Sequence, residues 1–434
     1  MWQTIVNAFK IKDVRRKILI TIALIFVYRL GCFIPVPGVN LLINNIGDYK
    51  FLEIMSAVSG GALQYGTFFA MGIGPYINAS IIIQLLTVGI PALERLSKQG
   101  EEGRKRINAY TRLLTLVLAI IQAIGIIVAF SGSDGTTINF NAIFGAEGFG
   151  LVMSYIFLVV VYTAGAGFTM WLGERITDYG VSNGISLLIF AGLLSTAGSS
   201  ILRVMSGIAN EATRASSIWT LAGFVLAAVV IFAAIVTVDT AERKISVQYA
   251  KQVKGRKLYG GQSTHIPIKV NSSGVMPLIF AYAILSFPDL ILNLVGVGSP
   301  NWWSDNMGTG TIPYTIVLCL LILFFAYFYN QIQFNPDDIS KSIQGNGGFI
   351  PGTRPGKPTA DYLRKVSNRI TLFGAIYLAV VALVPSLVFK FIGGDTLINV
   401  FSATGLLITV SVALEFEQAL QSQIMMKNYK GFLK

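Results

Sequence analysis

Apolar runs of nearly uniform length recur along this chain, at roughly residues 18 to 36, 68 to 91, 111 to 131, 148 to 172, 183 to 205, 217 to 239, 270 to 295, 311 to 332, 369 to 391 and 396 to 421. A hydrocarbon layer ~30 Å thick is crossed by ~20 residues of helix, so each run is close to one span. In lipid every backbone N–H and C=O must find its partner inside the segment, which leaves helix as the form such runs take. The expected fold class is therefore an all-α integral membrane protein with about ten transmembrane helices. Composition agrees, since 53% of the 434 residues are hydrophobic and only 12% charged, against about a quarter charged in soluble domains. The second and fifth runs are interrupted by Gly, Ser, Thr and Asn, and the tenth ends in Glu415 and Glu417. These three are expected to face protein or water, not lipid.

The net charge of +12 admits nucleic acid as a partner until the charges are placed. All but five of the 33 lysines and arginines lie in the N-terminal segment, in loops after even-numbered runs, or in the C-terminal tail; the exceptions are Arg29, Lys50, Arg203, Arg214 and Lys390. Basic loops mark the cytoplasmic side, so both termini are expected in the cytoplasm, and no specific nucleic acid is needed to explain the charge. The first run follows a basic cluster and lacks a small-residue cleavage site, so that helix is expected to serve for targeting uncleaved. Trp2, Ile5, Val6 and Phe9, at helical spacing ahead of Lys10 and Lys12, read equally as a helix lying in the headgroup region or as a frayed terminus. Cys32 and Cys319 lie inside apolar runs and His265 is the single histidine, which sets aside a disulfide framework and a His/Cys metal cluster. No cofactor is expected.

Two of the basic loops are long. Ile245, Val247 and Tyr249 alternate with Ser246 and Gln248, and Ile266 and Ile268 with Pro267 and Lys269, a period of two that predicts a hairpin with Pro267 on an edge strand. Further on, Pro351-Gly352 and Pro355-Gly356 flank Arg354, so two turns are expected to present one arginine.

Chemistry within the membrane would require carboxylates, histidines or lysines at mid-span, where they are costly and mark ion or proton paths. Mid-span positions here are nearly free of charge. Arg29, Asp239 and Asp289 sit toward the ends of their runs, where snorkelling to the interface accounts for them. The stretch Ser56 to Gly66 is too short and too rich in small residues to span. Two readings stay open for it, a half-helix held in a cavity and an extracellular loop. A secondary transporter would need a midplane ion or substrate site, and an intramembrane enzyme a nucleophile with a partner on a facing helix. Neither is visible, and neither accounts for the large basic loops.

Six longer motifs stand out along the chain: Ser-Gly-Gly-Ala-Leu from Ser59, Gly-Pro-Tyr-Ile-Asn-Ala-Ser-Ile-Ile-Ile-Gln-Leu-Leu from Gly74, Gly-Glu-Arg-Ile-Thr from Gly173, Asn-Gly-Ile-Ser from Asn183, Gln-Ser-Thr-His-Ile-Pro-Ile-Lys-Val-Asn from Gln262 and Pro-Gly-Thr-Arg-Pro-Gly from Pro351. They resemble those of the SecY family, the channel-forming subunits of the bacterial Sec protein translocase. The resemblance implies a protein-conducting channel, not an enzyme, that exports unfolded polypeptides across the plasma membrane and releases apolar helices sideways into lipid. It implies two inverted halves around a central pore, residues 1–210 with helices one to five and 211–434 with helices six to ten, and cytosolic loops at 242–269 and 335–369. Ile77, Ile81, Ile185, Ile189, Ile279 and Ile408 would form the pore ring, although each isoleucine taken alone is ordinary helix packing. Residues 57–67, with Ser59, Gly60, Gly61, Ala62 and Leu63, would be the plug. Gln122 and Asn271 would lie in the lateral gate, with a packed polar pair as the plain alternative. Arg243, Lys244, Arg256, Lys257 and Arg354 would meet cytosolic partners. The implied partners are the small membrane subunits SecE and SecG, the motor ATPase SecA, the ribosome, signal sequences with their nascent chains, and membrane lipid.

Overall fold

The computed structural model describes residues 2–39, 56, 59–131, 138–140, 143–145, 147–209, 214–249, 252–254, 257–259, 263–271, 274–294, 302–307, 311–392 and 403–431. Two helices open the chain, α1 (Trp2–Lys10) and α2 (Lys12–Gly31). After a run of turns come α3 (Gly74–Gly89), α4 (Pro91–Ser97), α5 (Glu101–Ser131), α6 (Gly148–Tyr179), α7 (Gly184–Ala209) and α8 (Arg214–Thr240). Strands β1 (Glu242–Tyr249), β2 (Gln252–Lys254), β3 (Lys257–Tyr259) and β4 (Ser263–Lys269) precede α9 (Met276–Leu294), α10 (Trp302–Asn306), α11 (Ile312–Gln333) and α12 (Pro336–Gly345). Strand β5 (Gly348–Phe349), α13 (Lys357–Ile392) and α14 (Ala403–Gly431) complete the order. Each of the ten apolar runs thus falls on a helix.

Among the described residues, helical stretches at Glu101–Val128, Gly148–Tyr179, Ile312–Gly345 and Lys357–Leu383 are long and apolar enough to cross a membrane. A fifth counts if α3 and α4, bent by 105° at their junction, form one broken span. The break has a local cause. Ile90 precedes Pro91 and is extended, at φ −109° and ψ 112°, because the proline ring disfavours a helical residue before it. Lys98, just past α4, donates to Glu94 of that helix at 2.7 Å. The second apolar run begins earlier than its helix: residues 68–73 are turns, and α3 starts at Gly74 with Pro75 in its first turn, where a missing N–H costs nothing.

The chain forms two compact units. The first comprises Met1–Ile218, Ala283–Thr311 and Val412–Lys434. Here α5 packs on α3 and α6, while α2 packs on α6 and α7. Its core joins Ala119, Ala123, Ile126 and Ile127 of α5 to Leu158, Tyr162 and Ala166 of α6 and to Leu63 and Met71 of the turns before α3. Alanines one turn apart on α5 let the helices approach closely. The N-terminal segment is a helix, with Ala8 buried alongside Val14, Ile18, Val181 and Leu420. Gln423 on α14 donates to the Val181 carbonyl at 3.2 Å.

The second unit comprises Trp219–Tyr282 and Ile312–Ser411. Within it α11 packs along α13, and a buried pair joins them: Asn330 Nδ2 donates to Ser367 Oγ at 2.9 Å, and Ser367 Oγ faces Asn330 Oδ1 at 3.2 Å. The hairpin expected from the period of two is present. Strand β1 pairs antiparallel with β4, Ile245 opposite Ile266 and Lys244 opposite Pro267. In the sheet order β4-β1-β5, β4 is an edge, so Pro267 breaks no ladder bond. The third strand comes from the other long loop: β5 pairs with β1, Gln248 opposite Phe349. One core then serves both loops, built from Ile245, Val247, Ile268, Ile343, Ile350 and Leu363.

Candidate functional site

Of the stretch Ser56–Gly66, Ser56 is helical and the part from Ser59 on, continuing to Ile73, is not helical. It is a chain of turns packed inside the first unit, with Ser59, Ala62 and Leu63 almost wholly buried. Its backbone bonds are local: Gly61 N–H donates to Ser56 O at 2.8 Å, Gln64 N–H to Gly61 O at 3.0 Å and Thr67 Oγ1 to Ala62 O at 3.0 Å. Longer-range bonds fix the segment to its surroundings. Phe68 N–H donates to Ile34 O at 2.9 Å, Cys32 Sγ to Ser59 O at 3.8 Å and Thr169 Oγ1, on α6, to Gly72 O at 2.8 Å. The tip is seated on the turn that leads into α3 and on α7. A Cβ built on Gly72, just before α3, would lie 3.1 Å from Ser59 Cβ, and one on Gly60 would lie 3.0 Å from the Gly192 backbone of α7. Gly60 also has φ +70°, which a residue with a side chain adopts only at a cost. Ala57 and Val58 lie outside the described residues.

Those two helices carry four of the six candidate ring residues. Ile77 and Ile81 on α3, and Ile185 and Ile189 on α7, are each four apart and share a helix face. Ile81 and Ile189 are buried; Ile77 and Ile185 are half-buried. Ile185 is fitted against α6, where a Cβ on Gly173 would stand 3.1 Å from its Cγ1. Of the remaining two, in the second unit, Ile279 on α9 is half-buried and Ile408 on α14 is buried.

The two gate candidates fall in different units. Gln122 on α5 is 3% exposed, with its Oε1 buried and without a partner among the described residues. Asn271, before α9, donates from Nδ2 to Asp239 Oδ1 at 2.8 Å, and its own Oδ1 is buried without a partner among the described residues. Ser411 Oγ bonds the other oxygen of Asp239. Asp239 therefore does not simply snorkel: it ties the end of α8 to the lead-in of α9 and to α14, three residues past Ile408. Arg29 departs from the same expectation. Its Nη2 bonds Ser195 Oγ on α7 and its Nη1 is buried, while its guanidinium carbon sits 5.7 Å from the Phe33 ring centroid. An ionisable residue at the edge of an apolar run is a sequence signal for such roles, but the partner is not written beside it. The Asp289 side chain lies outside the described residues.

On the basic loops, Arg243 and Lys244 are exposed at the start of β1, with Lys244 Nζ 3.2 Å from Glu242 Oε1. Arg256 and the side chain of Lys257 lie outside the described residues. Both predicted Pro-Gly turns form, with Gly352 at φ +87° and Gly356 at φ +93°. The loop is pinned by Ser340 Oγ donating to Gly356 O at 2.6 Å and Thr359 Oγ1 to Arg354 O at 2.8 Å. Arg354 itself points out, exposed.

Comparison with known proteins places this geometry. The family model described as SecY matches residues 67–417. Proteins named protein translocase subunit SecY are similar over essentially the whole chain: 41% identical in Mycobacterium tuberculosis, covering 100% of both chains, and 42% identical in Streptomyces griseus, again covering 100% of both. A solved protein-conducting channel is 20% identical with a TM-score of 0.68, covering 94% of this chain and 92% of its own. Sec61 from a canine ribosome–channel complex of the endoplasmic reticulum is 18% identical, with a TM-score of 0.62 over the same shares. At these identities the two structures bear on the fold.

Proposed function

The chain belongs to the SecY family, and from that membership we propose how this translocase channel subunit conducts polypeptides across its multi-pass membrane fold. Ile77, Ile81, Ile185, Ile189, Ile279 and Ile408 act as an apolar collar, and residues 57–67 close it from one side. The observation that carries this reading is the seat of the Ser59–Gly60 turn, lodged against Gly72, two residues before α3, and against Gly192 on α7; α3 and α7 bear Ile77, Ile81, Ile185 and Ile189. A narrow apolar constriction excludes water and so blocks ions without a charged filter. Isoleucine suits the collar because it has no polar atom and a stiff χ1. A collar contributed by separate helices widens when those helices shift.

Residues 1–210 and 211–434 are the two inverted halves, and the polar groups of Gln122 and Asn271 lie along the seam through which apolar helices leave for lipid. Bonds between such groups contribute only ~0.6 kcal/mol each, which suits a seam that opens. Arg243, Lys244, Arg256, Lys257 and Arg354 form the cytosolic docking surface for whatever drives transport, SecA or the ribosome, and SecE and SecG complete the channel in the plasma membrane, with both termini cytoplasmic. Two solved relatives are ribosome-bound channels, which supports the ribosome among these partners. The channel supplies a path and the partner supplies the energy.

The test is a stalled secretory chain crosslinked to cysteines introduced at Ile81 and Ile279. Crosslinks at both positions are expected. Crosslinks at neither would remove the pore assignment.

A further inference from the structure

We propose that Arg29 seats the plug: its guanidinium, oriented by Ser195 of α7, is the surface on which the Ser59–Gly60 turn rests. The proposal builds on the reading of residues 57–67 as a plug and adds the residue that positions it.

Arg29 lies in the last turn of α2, where a long side chain would be expected to reach outward to water or lipid headgroups. It turns inward instead. Its Nη2 bonds Ser195 Oγ, and its Nη1 is buried with no hydrogen-bond partner among the described residues. The guanidinium is planar and permanently charged, with donors in a fixed fork, so one bond to Ser195 fixes the orientation of the whole group. What that group faces is Gly60. A Cβ on Gly60 would run into Arg29 Nη1 on one side and meet the Gly192 backbone at 3.0 Å on the other. The turn is therefore held between the α2 arginine and the α7 glycine, three residues beyond Ile189. Nearby, Cys32 is buried with its thiol on the Ser59 carbonyl.

The arrangement is a seat and not a lock. Holding the turn down leaves a charged donor buried and unpaired, which is costly; when the turn lifts, Nη1 regains water. Contact with the turn favours the seated position, and the buried donor opposes it.

Cys32 provides a native reporter. In a Cys319→Ser background of the full chain in its membrane complex, the rate of Cys32 alkylation by N-ethylmaleimide reads how often the plug turn lifts. Arg29→Ala removes the side chain against which the turn packs and should raise that rate roughly tenfold, the lost packing outweighing the relief of the buried donor. Arg29→Lys and Ser195→Ala should raise it less. Gly60→Ala attacks the same contact from the plug side, so combining it with Arg29→Ala should give less than the product of the two effects, as for residues sharing one contact. An arginine that merely finishes α2 predicts independent effects. Unchanged labelling at equal membrane insertion, or strictly multiplicative effects, would overturn the seat. Deleting residues 57–67 tests the underlying reading separately through resting ion conductance: a rise supports the plug. No rise removes the plug as a seal, while the labelling still decides whether Arg29 holds the turn.

Discussion

Donors buried around a carboxylate depend on it, because a buried polar group left without a partner costs about 1–3 kcal/mol. Asp239 accepts from both Asn271 Nδ2 and Ser411 Oγ. Asp239→Ala strands both, so a lower thermal midpoint of the purified complex is expected. Asp239→Asn retains one acceptor oxygen and should fall between the variant and wild type. If Ala and Asn behave alike, the carboxylate is not the organising group. The collar isoleucines answer to a different measurement. Replacing Ile81 and Ile189 together by Asn places amides where the collar has only methyl and methylene groups, so the constriction wets. Resting conductance in planar bilayers should rise and discrimination among signal sequences should relax. Either substitution alone should do less, since the remaining isoleucines still close most of the gap. Double variants as ion-tight as wild type at equal insertion would count against the collar.

The two long basic loops show how an element too small to fold alone is stabilised by another. A two-stranded hairpin is marginal by itself, but β1 gains a second neighbour in β5 and a core in Ile343 of α12 and Leu363 of α13. Asn335 caps α12 by accepting from Asp337 N–H at 3.2 Å, and Arg364 of α13 bonds Asp337 Oδ2 at 2.8 Å. Leu363 is fully buried, so Leu363→Ala should cost about 2–5 kcal/mol of local packing and appear as faster protease nicking in both loops at once. Nicking confined to the second loop would mean that the sheet does not couple them. The Arg354 loop rests on the same platform. Gly352 and Gly356 hold left-handed backbone, and alanine there costs roughly 1 kcal/mol of strain. Arg354→Glu, which leaves the turns alone, should lower transport without lowering membrane insertion. Wild-type transport in that variant would exclude docking at this arginine.

At the scale of the whole molecule, the proposed topology puts the basic loops on the cytoplasmic side. Protease added to inverted vesicles should cut between Glu242 and Lys269 and between Asn335 and Arg369, and leave the opposite loops intact. Cleavage of those two loops only from the exterior would reverse the assignment.

The amino-acid sequence by itself determined what depends on neighbours along the chain. The helices at the apolar runs are legible because continuous apolarity over such a length marks a helix, and among the described residues four of them, or five with the bent pair, are long and apolar enough to span. The β1–β4 hairpin is legible because strands alternate with a period of two, and the paired Pro-Gly turns because glycine alone takes left-handed backbone at no steric cost. Tertiary structure decided whatever depends on residues far apart. Nothing near Arg29 points to Ser195, nor anything near Asp239 to Ser411. Composition left the stretch from Ser56 to Gly66 open between half-helix and loop, since small residues suit both, and packing against α6 and α7 accompanies the turns it forms from Ser59 on. Strand β5 is two residues long, too short for any periodicity, and it became a strand because the free edge of β1 was there to bond it.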